Sequence, residues 1–353
     1  MMNLNEFKKS LLNNLSCSDI NELQAYISKS IYDEKMFKHL MEVLKLLKID
    51  DEEFSLQRFY QFYFARKEEF SQDFTSASLA KLQANLINMD GKILDICSGF
   101  GQLTIQHNNN SNFDNYYFVE ELDDSIIPWL LVNLAFHNVN ATVKHMNALT
   151  RVEKANYIVK KGMEFGSVSK VEKNLNYSPD DIKGVLSNPP FDDYNNYNFV
   201  MQGLYSSSSD AKLSFILPKK VLTNSSEKNY RKELVDNSYL KAVILCSRGM
   251  YESTNIPVVI LYMDKGNKTN EVNFIDASNF YDYIDGIDLK ADDEIKNEVY
   301  DKKLFIFNDE QIERICNCIE NEIESDNFSK IVSNDEITAN DYNLNPKLYV
   351  QII

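Results

Sequence analysis

No apolar run in the 353-residue sequence approaches the ~18 residues that a membrane-spanning helix needs. The opening Met1-Met2-Asn3-Leu4-Asn5-Glu6 supplies neither a basic nor an apolar leader segment, so no secretory signal is visible. Histidine is scarce, and His39, His107, His137 and His145 share no metal-ligand spacing. The cysteines (Cys17, Cys97, Cys246, Cys316 and Cys318) are odd in number and scattered, and Cys316 and Cys318 lie too close together for the usual zinc spacing. They read as reduced thiols of a cytoplasmic protein, and neither a metal nor a membrane partner is expected. Basic charge is also in deficit: 37 Lys and Arg against 53 Asp and Glu leave a net charge of −16. That is the wrong sign for a lone nucleic-acid binder, which clusters Lys and Arg against phosphate. Either the substrate is not a polyanion or a basic partner supplies most of the grip.

Residues 1–70 contain no glycine and no proline. Ile20, Leu23, Ile27 and Ile31 recur at helical spacing behind Ser16 and Asp19, a plausible capping pair. Leu40, Val43, Leu44 and Leu47 form a second such face, and Leu56, Phe59, Tyr60 and Tyr63 a third. The region reads as a helical bundle leaning on the next domain. From Gly91 onward short apolar runs alternate with helical patterns. The runs are Lys92–Ile96, Tyr116–Glu120, Ala141–His145, Gly184–Ser187, Lys212–Leu217, Ala242–Leu245 and Val258–Tyr262. Strands separated by helices predict an α/β, doubly wound, mostly parallel sheet. The last two runs lack an intervening helix and predict a terminal antiparallel strand, entered at Ile256-Pro257. Thr150–Asp181 is polar and reads as an insertion or loop, and Asp282–Asp301 as a solvated acidic segment. Asn308 opens a helix with Ile312, Ile315, Ile319 and Ile323 on one face.

The fourth run ends in Asn188-Pro189-Pro190-Phe191. Two prolines stiffen the turn and remove two backbone donors. The Asn188 side chain and the Pro189 carbonyl are acceptors for an exocyclic NH2, and Phe191 offers a stacking face for the ring that carries it. Read alone, the tetrad is equally a proline turn that ends a strand. The first run leads into Asp95-Ile96-Cys97-Ser98-Gly99-Phe100-Gly101, where two glycines let the backbone turn sharply against a ligand before a helix starting near Gln102. A dinucleotide site would carry a third glycine, and Thr104 stands there instead. The second run leads into Glu121, placed to reach ribose hydroxyls, and Asn147 after the third could meet an adenine edge. Ligands bind at the carboxyl ends of strands in such sheets, so these four strand ends would face one crevice.

With these residues the chain resembles S-adenosylmethionine-dependent N6-adenine DNA methyltransferases, in particular the modification subunits of type I restriction systems. Asp95, Gly99 and Gly101 match that family's cofactor loop, with Ile96 in place of its proline; Asn147 stands where the family has Asp; the Asn188–Phe191 tetrad is intact. Gln72-Asp73-Phe74-Thr75-Ser76 is a partial match to the segment that closes over the cofactor, and Asn343–Val350 resembles the C-terminal signature. The resemblance implies a seven-stranded class I methyltransferase (Rossmann-like) sheet beside the helical region. It implies S-adenosylmethionine as cofactor, held by Phe74, Thr75, Asp95, Cys97, Gly99, Gly101, Glu121 and Asn147. Transfer to the N6 of a flipped adenine would involve Asn188, Pro189, Pro190 and Phe191. It also implies a specificity subunit, or another basic DNA-binding partner, to read the sequence. The expected division is 1–70 helical, 71–280 catalytic, and 281–353 an acidic segment and helix for partner docking. RNA methyltransferases of exocyclic base amines share the loop and tetrad, protein-glutamine methyltransferases usually carry Tyr at the Phe191 position, and a catalytically silent subunit would keep the fold alone.

Overall fold

In the computed structural model, which describes residues 4–49, 56–64, 73–172, 175–191, 196–252, 254–267, 269–286 and 302–350, all seven apolar runs are strands. Four helices come first: α1 (Leu4–Leu15), α2 (Ile20–Ser30), α3 (Glu34–Leu46) and α4 (Leu56–Tyr63). Asp19 alone caps α2, accepting from the Asn21 and Glu22 amides, whereas Ser16 turns the chain after α1 at φ +55°. The expected Ser16–Asp19 pair therefore splits into a turn residue and a cap, because a carboxylate satisfies two free amides of the first turn by itself.

Next come α5 (Ala77–Leu86), β1 (Lys92–Ile96), α6 (Gln102–Asn110), β2 (Tyr116–Glu121), α7 (Ile127–Phe136), β3 (Ala141–Met146), β4 (Glu153–Lys160), β5 (Ser167–Val171) and β6 (Ile182–Ser187). They are followed by α8 (Asn196–Tyr205), β7 (Lys212–Pro218), α9 (Lys228–Asp236), β8 (Leu240–Leu245), β9 (Val258–Asp264) and β10 (Glu271–Asp276). The main sheet runs β13-β10-β8-β9-β7-β6-β1-β2-β3-β4-β5, where β13 is Ser329–Ser333. The expected seven strands form its centre, with β9 antiparallel to both neighbours as anticipated.

The sheet is wider than expected, with eleven strands. Thr150–Asp181 is not all loop: within it β4 and β5 add an antiparallel hairpin outside β3. Their polar composition concealed them, because β5 is an edge strand with mostly exposed side chains and shows no apolar alternation. On the other edge β13 pairs with β10. Of the acidic stretch, β11 (Asp282–Gly286) pairs with β12 (Lys302–Ile306) as a separate ribbon, and residues 287–301 lie outside the described residues, as does Gln72. Asn308 caps α10 (Asp309–Glu320) in a capping box with Gln311, and Ile312, Ile315 and Ile319 are buried. The chain closes with α11 (Asn334–Ala339) and α12 (Pro346–Tyr349).

Trp129, the single tryptophan, lies on α7. It is fully buried against Phe59, Tyr60, Phe64 and Phe100, and its indole donates to Gln24 of α2. The N-terminal helices thereby share one apolar core with the sheet. No described helix is long and apolar enough to cross a membrane.

Candidate active site

Strand order reverses between β1, which is followed by β2 and β3 on one side, and β6 on the other. The loop after β1 and the tetrad after β6 therefore leave adjacent strand ends, with Ile96 beside Ser187 in register. The Ser187 hydroxyl donates to the Ile96 carbonyl at 2.6 Å and ties the two ends together. The crevice above them encloses about 930 Å³, counted out to its open mouth. Phe74, Thr75, Cys97, Gly99, Glu121, Asn147 and the whole tetrad line it.

The β1 loop is wound by three residues in the left-handed region: Cys97 at φ +61°, Gly99 at +55° and Gly101 at +80°. Gly101 is the N-cap of α6, and a Cβ there would stand 2.9 Å from Leu130 and 3.1 Å from Leu134. Asp95 and Gly101 do not line the crevice. Asp95 is buried beneath the loop, accepting from the Thr104 hydroxyl at 2.7 Å, while its Oδ1 has no hydrogen-bond partner. Thr104, where a dinucleotide site would have glycine, is thus the anchor of Asp95. Burial raises the Asp95 carboxyl to about 7, against the pull of the Thr104 hydrogen bonds. Burial, with the charges of Glu121, Glu120 and Asp95, holds the Cys97 thiol well above its ordinary value, so it stays protonated.

Glu121 turns one carboxylate oxygen to the Gly99 amide at 2.8 Å and the other to the amides of Leu122 and Asp123. Burial still raises its carboxyl above the usual range. Asn147 folds its own turn, accepting from the Leu149 and Thr150 amides. Neighbouring Glu120, fully buried, is neutralised by Arg151 through two 2.7 Å hydrogen bonds. Glu121 on the floor, and the acid Asp95 buried beneath it, therefore have no cationic partner among the described residues. Such a floor favours a cationic ligand.

At the tetrad, the Asn188 amide is held from both ends. Its nitrogen donates to the Thr75 hydroxyl at 2.8 Å and the Asp73 carbonyl at 3.1 Å, and its oxygen accepts from the Tyr251 hydroxyl at 3.1 Å. The amide oxygen keeps one lone pair for a further donor. The Pro189 carbonyl accepts no hydrogen bond among the described residues. Phe191 meets the Tyr251 ring edge to face at 5.5 Å. Phe74 packs at right angles to Tyr60 and Phe100 and lies against Gly99.

Sequence reasoning missed two participants. Tyr251, fully buried in the loop between β8 and β9, orients Asn188. Gln57 of α4 lines the crevice and donates to the Thr75 carbonyl at 3.0 Å, so the helical region contributes to the wall. Nothing in spacing flags either, since both act across long sequence separations.

Comparison with known proteins decides the family. The model of the N-6 DNA Methylase family matches residues 52–353, starting within the helical region. The chain belongs to the N-6 DNA methylase family. It is 29% identical over 315 residues to the type I restriction enzyme MjaVIII methylase subunit of Methanocaldococcus jannaschii, covering 82% of this chain and 52% of that protein. Against the type I restriction enzyme MpnII methylase subunit of Mycoplasma pneumoniae the identity is 23%, over 94% of this chain and 64% of the relative. The chain spans about half to two thirds of the length of these relatives. Among solved structures, the type I restriction-modification methyltransferase subunit of Streptococcus thermophilus superposes with a TM-score of 0.64 at 20% identity, over 99% of this chain and 77% of that one. The type I restriction enzyme EcoKI M protein gives 0.56 at 14% identity, over 99% and 90%. At those identities the structural likeness shows the fold, a class I methyltransferase sheet with an N-terminal helical region.

Proposed function

We propose that this N-6 DNA methylase transfers a methyl group from S-adenosylmethionine to the exocyclic N6 amine of an adenine in DNA, as the modification subunit of a restriction-modification system. The observation that carries the reading is the clamped Asn188 amide beside the open Pro189 carbonyl, facing a crevice floored by the unneutralised Glu121 carboxylate. The donor set fits the cofactor. Its sulfonium and ammonium are cationic, like the ligand the floor favours; Ser98 in the crevice wall and Asp95 beneath it each keep a buried oxygen without a partner. Glu121 and Asn147 would hold its nucleoside, and the loop Cys97–Gly101 its amino-acid end. When bound, the cofactor supplies an activated methyl group.

The remaining work falls to the chain's own residues. Asn188 and Pro189 accept the two amino hydrogens, which withdraws them from the ring plane and turns the nitrogen lone pair outward. Phe191 stacks on the base and fixes its plane. Catalysis is then largely alignment. The base must leave the helix to reach the crevice. Residue identity at the tetrad favours a nucleobase over a protein glutamine, since the stacking residue is Phe191. A sequence-reading subunit completes the assembly, because acidic charge dominates this chain.

Asn188→Ala tests the reading. The variant is expected to bind S-adenosylmethionine by calorimetry while N6-methyladenine disappears from one defined motif in the native host's genome. Retained methylation in that strain would sink the assignment.

A further inference from the structure

The basic run Lys219-Lys220 with Lys228, Arg231 and Lys232 reads in sequence as a solvated helix face with a possible phosphate contact. The structure divides it. Lys228 and Lys232 form ion pairs with Asp341 and Asp236. Arg231 is buried and donates to the carbonyls of Tyr342, Val221 and Asn224, fastening the C-terminal segment to α9 and the turn after β7. Lys219 behaves differently. It is the first residue after β7, and its amide donates to the Pro257 carbonyl at the entry to β9.

Two further cations stand on the same edge of the sheet. Exposed Arg248 follows the carboxyl end of β8, and exposed Lys347 lies 3.8 Å from Asp276 at the carboxyl end of β10. Strand order places these ends in the row β10-β8-β9-β7-β6, and β6 delivers Asn188. Lys347, Arg248 and Lys219 therefore line up along one rim leading to the tetrad. Burial and then the charge of Lys347 push the Lys219 ammonium down; Asp276 pulls the other way and Arg248 adds to the push, which places all four groups within one electrostatic neighbourhood. Three cations against one carboxylate leave the rim positive on a chain of net charge −16. On the other side of the tetrad, Arg151 and Lys144 are taken up by Glu120 and Glu153.

We propose that Lys219, Arg248 and Lys347 form a ridge that holds the phosphate backbone of the strand whose base is inserted at Asn188. The inference rests on the methyl-transfer reading and adds the direction of approach: the strand enters over the β7, β8 and β10 ends. A polyanion is repelled by most of this surface, so a local positive rim beside the crevice decides where it lands. The ridge contacts phosphate and not base edges, so it adds affinity without sequence preference.

The test uses single-stranded oligodeoxyadenylate as probe and the chain purified from its native host with whatever copurifies. Binding is titrated across salt concentrations for wild type, Lys219→Gln, Arg248→Gln, Lys347→Gln and the triple variant, with cofactor affinity and thermal midpoint confirming an intact fold. Each single variant is expected to flatten the log–log salt slope by about 0.7, and the triple variant by about 2. Asp276→Asn, which removes the rim's carboxylate, is expected to tighten binding. An unchanged slope in the triple variant, or loss of a copurifying acidic protein with the slope intact, overturns the ridge. Motif methylation in the native host's genome separates the two ideas. Methylation lost in Asn188→Ala with an unchanged slope in the triple variant refutes the ridge alone, whereas a flattened slope with methylation unaffected by Asn188→Ala refutes the reaction alone.

Discussion

Asp95 allows a quantitative test of how the site trades stability for ligand affinity. Its carboxyl is fully buried, and one oxygen lacks a partner. Burial raises it from 3.8 to about 7. The folded protein therefore binds this proton more tightly than the unfolded chain does, so stability falls as pH rises from about 4 to 7 and then levels off. Carrying the carboxyl that far corresponds to about 4 kcal/mol at full ionisation. About 2 kcal/mol of this falls between about pH 5.5 and 8, a range above the isoelectric point of 4.8 where unfolding can be followed. Asp95→Asn keeps an acceptor for Thr104 and removes the titration. The assay is urea unfolding of wild type and variant across that range, read as the difference between the two curves so that other groups cancel. The wild type is expected to lose stability relative to the variant as pH rises, and S-adenosylmethionine, bringing positive charge to the floor, is expected to abolish most of the trend. The variant should bind the cofactor more weakly even where it is the more stable protein. A flat difference curve would refute the claim that an uncompensated carboxylate lies under the loop.

Other perturbations isolate single contacts. Tyr251→Phe deletes only the hydroxyl that fixes the Asn188 amide, and a loss of roughly 3- to 10-fold in kcat is expected with cofactor affinity unchanged. An unaltered kcat would show that Thr75 and Asp73 suffice. Gly101→Ala forces a side chain into the left-handed region and against Leu130 and Leu134, and should cost roughly 2–4 kcal/mol in urea unfolding. A neutral effect there would mean that α6 shifts to accommodate it. Arg151→Ala leaves Glu120 buried with a lone hydroxyl donor, Tyr177, and should cost about 3–5 kcal/mol, with the unfolding midpoint as readout. Wild-type stability in that variant would show that the pair with Arg151 is not needed to hold Glu120 in the core.

The central sheet and the crevice were legible because each carries a local signature. Leu94, Ile96, Val185 and Leu186 are buried on strands covered on both faces, so they read as continuous apolar runs. Gly99, Gly101 and Pro189 declare themselves through backbone chemistry that needs no neighbour to be recognised. Asp19 and Asn308 announce helix starts by their side chains, although the assignment of Ser16 as part of a cap failed against a turn that only the packed helices reveal. The hairpin β4–β5 escaped notice because its outer strand, β5, is a mostly exposed edge strand and its polar composition leaves no apolar alternation to read.

The sequence by itself determined the strand-turn chemistry: which residues stand at the ends of β1, β2, β3 and β6, and that a positive-φ loop and a proline-stiffened tetrad would share an edge. Tertiary structure decided what surrounds them. Tyr251 reaches Asn188 from 63 positions away, and Gln57 reaches Thr75 from a helix outside the sheet. It also placed Asp95 beneath the loop and sorted the basic run into paired, buried and rim-lining cations. A side chain's partners across the fold depend on strand order and packing, and local spacing carries no record of either.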